Sequence, residues 1–295
     1  MRYAYYPGCS VDATARHYGE SIHAVAESLG VELAEVDDWN CCGATAYMNV
    51  NEVLSFCLSA RNLAIVAGKG NGKELVTPCN ACFTNLRKTE AYLSQFPDIK
   101  DKVTQALAEG GMKYDGGVTT KHFLQVLVED VGLDRIKAGI KRPLTGLRVA
   151  PYYGCQIVRP YGINDNPDNP VMMDKLLETL GATPTYYPMK VMCCGGSLMG
   201  TREEVAIRLC RNLLLCAQQD KADCIAVACP LCQTNLDAYQ ATVNRTYGTD
   251  FNIPIIYFTQ LVGLALGLKA DALGIQRCIV PAAQIAARYA QEVQR

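Results

Sequence analysis

Short apolar, β-prone runs alternate along this chain with longer stretches whose apolar residues return at helical spacing. The runs "RYAYY" before Cys9, "KELVT" before Cys79, "LRVAPYY" before Cys155 and "CIAVA" before Cys229 read as strands. Residues 51–68 and 201–220 carry the helical period, and "TNLRKTEAYL" and "TNLDAYQATV" continue as helices directly after two CxxC pairs. Strand, cysteine, helix, repeated, predicts an α/β fold with a mostly parallel sheet and right-handed crossovers. In such sheets the ligand crevice lies at the carboxyl ends of the strands. Cys9, Cys41, Cys42, Cys79 and Cys82 should therefore converge although they are far apart in sequence.

The pattern occurs twice. "YYPGCS" at Cys9 returns as "PYYGCQ" at Cys155, "NCCGATAYM" as "MCCGGSLMG" at Cys193 and Cys194, and "TPCNACFTNL" as "ACPLCQTNL" at Cys229 and Cys232, with an offset of about 150 residues. "ARNL", ending at Leu63, returns as "CRNL", ending at Leu213. The chain reads as a tandem duplication: two homologous, pseudo-symmetric α/β domains, each a small, mostly parallel sheet with flanking helices. The expected boundaries are 1–140 and 147–295, with a linker in "IKAGIKRPLTG" (136–146).

Composition narrows the chemistry. A chain of 295 residues, 49% hydrophobic, buries a core without covalent staples. Its fifteen cysteines therefore need another explanation. The N-terminus lacks a basic segment followed by an apolar one, and no apolar run reaches eighteen residues, so the expectation is a cytoplasmic protein without a membrane span. In a reducing compartment a cysteine-rich pattern signals metal or redox chemistry. Net charge is -1, with no basic block, which argues against nucleic acid as a partner.

A structural zinc site takes four tetrahedral ligands, usually as two close pairs. Each half supplies five cysteines, two of them adjacent, which suits a multi-metal thiolate site and hence an iron-sulfur cluster. Ferredoxin-type runs and a GxGxxG loop are both missing, so electrons are expected from another subunit.

A Cys, a CCG after 31 or 37 intervening residues and a CxxC after 36 or 34 more resemble the cysteine-rich CCG domain. A complete tandem pair resembles the B subunit of heterodisulfide reductase. The resemblance implies two noncubane [4Fe-4S] clusters. One would be held by Cys9, Cys41, Cys42, Cys79 and Cys82, the other by Cys155, Cys193, Cys194, Cys229 and Cys232. It further implies an oxidoreductase subunit that cleaves or forms a disulfide, or acts on a related small-molecule or carrier-bound thiol, in one-electron steps. The implied partners are a flavin-containing subunit and a small ferredoxin-like [4Fe-4S] subunit. The rival readings are an electron-transfer subunit with no substrate of its own and a zinc-holding assembly module.

Outside the motifs, Cys57, Cys210, Cys216 and Cys224 read as packing residues, and Cys278 has no assigned role. Gly43, Gly195 and Gly196 are expected beside the cofactor, where backbone approaches closely or turns with positive φ. His122, expected on a helix, is the candidate proton donor to a departing thiolate. Arg16, Arg87, Arg159, Lys190 and Arg202 are the cations from which a clamp for an anionic substrate group would be drawn.

Overall fold

The computed structural model describes residues 1–44, 49–69 and 73–289. It contains two four-stranded, all-parallel sheets of the same topology. In the first, β1 (Arg2–Tyr5), β2 (Glu32–Glu35), β3 (Glu74–Thr77) and β4 (Thr119–His122) run in the order β2-β1-β3-β4. In the second, β5 (Arg148–Tyr152), β6 (Thr183–Pro184), β7 (Cys224–Val227) and β8 (Ile255–Tyr257) run β6-β5-β7-β8. The register repeats too: Tyr5 lies opposite Val76, and Tyr152 opposite Val227.

The central strands are buried on both faces, as a parallel sheet covered by helices requires, and this is why they read as apolar runs. Strand order reverses between β1 and β3, and again between β5 and β7. Those two switch points open the crevice at the strand ends. Cys9 and Cys79 follow the strands flanking the first; Cys155 and Cys229 follow those flanking the second.

Helices Glu52–Gly68 and Glu203–Gln219 form where the period predicted them. His122 departs from expectation: it ends β4 and caps the helix that starts at Phe123, with the Gln125 side chain accepting from its backbone N–H. Tyr257 occupies the same place at the end of β8, with Gln260 in the corresponding role. The halves interlock. The helix after β8 (Phe258–Ala265) packs on helix Arg16–Ser28 of the first half, while the helices around 123–139 pack on helix Met172–Thr179 of the second. No helix among the described residues is long and apolar enough to cross a membrane.

Candidate metal centre

Each CCG loop is held at its entrance by a tyrosine. Tyr6 donates to the carbonyl of Asn40, just before Cys41, and Tyr152 to that of Met192, just before Cys193, each at 2.8 Å. The second CCG cysteine is held through its carbonyl. Asn85 and Ser59 donate to Cys42 O, and Asn235 (2.7 Å) and Cys210 (3.4 Å) to Cys194 O. Cys210 is thus a buried thiol with a positioning role beyond packing. Cys57 and Cys216 are half-buried against the core, and Cys224 and Cys278 are buried.

Gly43 and Gly195 adopt left-handed φ of 74° and 77°. A Cβ on Gly195 would stand 2.8 Å from the Ala206 backbone, so this turn admits no side chain. Gly196 serves by close approach: a Cβ would meet Leu231 at 2.7 Å, and its N–H points at the Cys194 sulfur, 3.3 Å away. Gly8 and Gly154, which sequence reasoning missed, also have positive φ, and a Cβ on them would lie 2.9 Å from Cys82 Sγ and 3.2 Å from Cys232 Sγ. Their signal was the shared "GC" after each tyrosine.

The sulfurs converge as the topology requires. Cys42 and Cys82 stand 3.4 Å apart, Cys194 and Cys232 3.6 Å. Cys9 lies close enough to Cys41, and Cys155 to Cys193, to shift each other's ionisation. Cys79 and Cys229 stand at the N-caps of the helices Asn80–Gln95 and Pro230–Ala238, and their thiols are close enough across the two halves to shift each other's ionisation. The first CCG cysteine is acidic in each set, and in the second half the Cys229 thiol is also held well below the usual range, by Cys232 and then Cys79. Cys41 is held down to about 2 by Cys42 and then Cys9, and Cys193 to about 2 by Cys155 and then Cys194, with the N–H of the next glycine assisting.

Among the described residues no three His, Cys, Asp or Glu side chains close on a single ion. Instead, all five cysteines of the second half line one cavity of about 60 Å³, with Asn80 of the first half at its wall. Two buried polar atoms near these sulfurs lack a hydrogen-bond partner: Asn80 Oδ1, and the hydroxyl of Tyr257, which lies near Cys229 and Cys79. A thiolate-lined cavity with a spare hydroxyl donor beside it fits an iron-sulfur cluster, whose sulfides accept hydrogen bonds.

His122 sits fully buried beneath this site. The Leu124 N–H donates to Nδ1 at 3.1 Å, so Nε2 carries the proton and donates to Pro78 O at 2.8 Å. Burial pushes its pKa down to about 4. Both ring nitrogens are occupied, Nε2 in bracing the residue before Cys79 and Nδ1 in capping the helix that starts at Phe123. Tyr18 braces both halves at once, with its hydroxyl 3.3 Å from both Pro78 O and Ala228 O and its ring stacked on Tyr257 at 3.8 Å.

Between the two CCG loops lies a crevice of about 840 Å³ lined from both halves, by Ala44 and Ala81 of the first and Gln156 and Ser197 of the second. Gln156 and Ser197 also line the small cysteine cavity. None of the five expected cations lines the crevice; Lys88 does.

Comparison with known proteins agrees with this architecture. The CCG cysteine-rich domain profile matches residues 3–87 and 149–237. The chain is 31% identical to the B subunit of the Ferredoxin/F(420)H(2)-dependent CoB-CoM heterodisulfide reductase of Methanosarcina acetivorans, over 92% of this chain and 91% of that one. It is 30% identical to a protein of Archaeoglobus profundus described as like the B subunit of heterodisulfide reductase, over 98% of each. This chain belongs to the heterodisulfide reductase B-subunit family of tandem CCG proteins. A further relative of this family member, 32% identical over 96% of this chain and 98% of its own, is the 8-methylmenaquinol:fumarate reductase membrane anchor subunit of Wolinella succinogenes. Membership makes the chain an iron-sulfur subunit of the heterodisulfide reductase type. A Helicobacter pylori structure of a hypothetical protein shares the fold alone, with a TM-score of 0.75 at 14% identity over 95% of this chain; the chain spans 52% of that one.

Proposed function

We propose that this chain is the catalytic subunit of a multi-subunit oxidoreductase that cleaves or forms a disulfide, or acts on a related thiol, in one-electron steps, with two noncubane [4Fe-4S] clusters held in two CCG domains, residues 1–140 and 147–295. The observation that carries this reading is the presence of two complete five-cysteine sets at matching switch points, with one crevice bordered by loop residues of both halves. When bound, each cluster would supply one electron at a time and an iron with affinity for sulfur. Cys9, Cys41, Cys42, Cys79 and Cys82 would hold the first, and Cys155, Cys193, Cys194, Cys229 and Cys232 the second. Reduction of one disulfide consumes two electrons and two protons and releases two thiols. The electrons come from partner subunits, a flavin-containing one and a small ferredoxin-like one, because this chain has no motif for either carrier. The protons enter from the solvent side of the crevice, and His122 is a positioning residue for the Cys79 strand end.

The alternative, an electron-transfer subunit, is favoured by the relative named for 8-methylmenaquinol:fumarate reduction. Turnover separates the two. The anaerobic, iron-loaded chain given reduced viologen and a small disulfide should release two thiols per two electrons, and should not oxidise NAD(P)H. Iron and acid-labile sulfide without disulfide turnover would leave the electron-transfer reading; zinc in place of iron would overturn both.

A further inference from the structure

Each site takes its cysteines and the braces of its CCG loop from its own half, but the loop that presents Cys155 is also gripped from the other one. Helix Asn80–Gln95 of the first half begins against this loop. The Asn80 side-chain amide donates to Tyr153 O at 2.6 Å, and one turn further on the Thr84 hydroxyl donates to Gln156 O. These two carbonyls bracket Gly154 and Cys155, so one helix face holds the loop on both sides of the ligand. The Asn80 amide nitrogen occupies the space that Gly154 leaves open, 3.3 Å from where a Cβ would stand, and Asn80 lines the cavity of the five second-half cysteines. The loop's own half secures other groups: the Tyr153 and Gly154 N–H groups donate to Lys190 O, and the Tyr153 hydroxyl donates to the Asp174 carboxylate at 2.6 Å.

The duplication does not repeat the amide. Helix Pro230–Ala238 packs on the Cys9–Asp12 turn of the first half in the corresponding way. Thr234 repeats the hydroxyl of Thr84, but Pro230 stands where Asn80 would be, and its ring carries no donor. Pro7 likewise stands where Tyr153 would be.

Resting on the reading of two clusters above, we propose that Asn80, assisted by Thr84, is a positioning residue for the cluster of the opposite half, although in sequence it lies between Cys79 and Cys82, two ligands of the first. The two clusters therefore differ in what retains them. The second depends on the docking of the halves through this amide, whereas Tyr6, Ser59 and Asn85 hold the first site from within its own half.

The test uses the whole, iron-loaded chain under anaerobic conditions. An iron chelator is added, iodoacetamide labels each cysteine as its iron leaves, and mass spectrometry reports which set is freed. In Asn80→Leu, Cys155, Cys193 and Cys194 should be labelled about tenfold faster than in the native chain, equivalent to about 1.4 kcal/mol of lost hydrogen bonding, while Cys9, Cys41 and Cys42 keep their native rate. Thr84→Val should act in the same direction, and Thr84→Ser, which keeps the hydroxyl, should restore the native rate. Ser59→Ala, which removes a donor to Cys42 O, should free the first set instead. Circular dichroism checks the fold, and if Asn80→Leu does not fold, the Thr84 pair decides. Unchanged rates, equal acceleration of both sets, or earlier release of Cys9 and Cys41 in the Asn80 and Thr84 variants overturns the inference and leaves the two-cluster reading intact. Iron and sulfide for only one cluster in the native chain overturns that reading and the inference with it.

Discussion

The Tyr257 hydroxyl is buried without a partner while its stacking neighbour Tyr18 has two carbonyls in reach. A buried hydroxyl without a bond costs stability, so Tyr257→Phe should leave the cluster-free chain as stable as before, or more stable by about 1 kcal/mol, in chemical denaturation. In the iron-loaded protein the same change should move a cluster potential to more negative values, read by a redox titration, because a donor to the sulfides is gone. His122 predicts an acid sensitivity. Its pKa is lowered from 6.5 to about 4 by burial, so below 6.5 the unfolded state takes up a proton that the folded state refuses. Its contribution is fully present above pH 6.5 and is lost as pH falls toward 4, to a total of about 3 kcal/mol at 1.36 kcal/mol for each pH unit between the two values. Denaturation of the cluster-free chain across this range should show the loss, and His122→Gln should remove that part of the slope.

Among the elements, the strand-loop-helix unit carries the site, and each half builds its own. Tyr6, Ser59 and Asn85 hold the first CCG loop from within the first half; Tyr152, Cys210 and Asn235 hold the second from within the second. Replacing Cys41 and Cys42 together by serine should therefore remove about half of the iron by metal analysis and leave the second site loaded. Loss of all iron from a folded variant would mean that the contact between Cys79 and Cys229 makes the two sites one. Element prediction succeeded for β1, β3, β5 and β7, whose double burial makes them apolar. It did not identify the edge strands β2, β4, β6 and β8: "ELAE" and "TTKH" lack that pattern, and β6 and β8 span only two and three residues, too short to show one.

For the whole molecule, the duplication produces mutual dependence. The Ser21 hydroxyl meets that of Thr259 at 2.6 Å, Tyr18 stacks on Tyr257, and Asn80 donates to Tyr153 O at 2.6 Å, each pair crossing the halves. Expressed alone, residues 1–140 would expose these buried surfaces. That fragment should be aggregated or only partly folded by gel filtration and circular dichroism, and co-expression with 147–295 should restore a soluble heterodimer. A cooperative, monomeric 1–140 fragment would show that the interlock adds little.

The sequence by itself determined the duplication, the two five-cysteine sets and the strands that deliver them, because these follow from local pattern and motif spacing. It also marked Gly43 and Gly195 through the need for a tight turn after two adjacent cysteines. Only the tertiary structure decided that Cys79 and Cys229 meet, that Lys88 rather than the expected cations lines the crevice, and that His122 is sealed beneath the site. Those outcomes depend on contacts such as Tyr18 with Ala228, 210 residues apart, which exist only when both sheets are folded and docked. No local period in the chain encodes the direction from which the second half approaches the first.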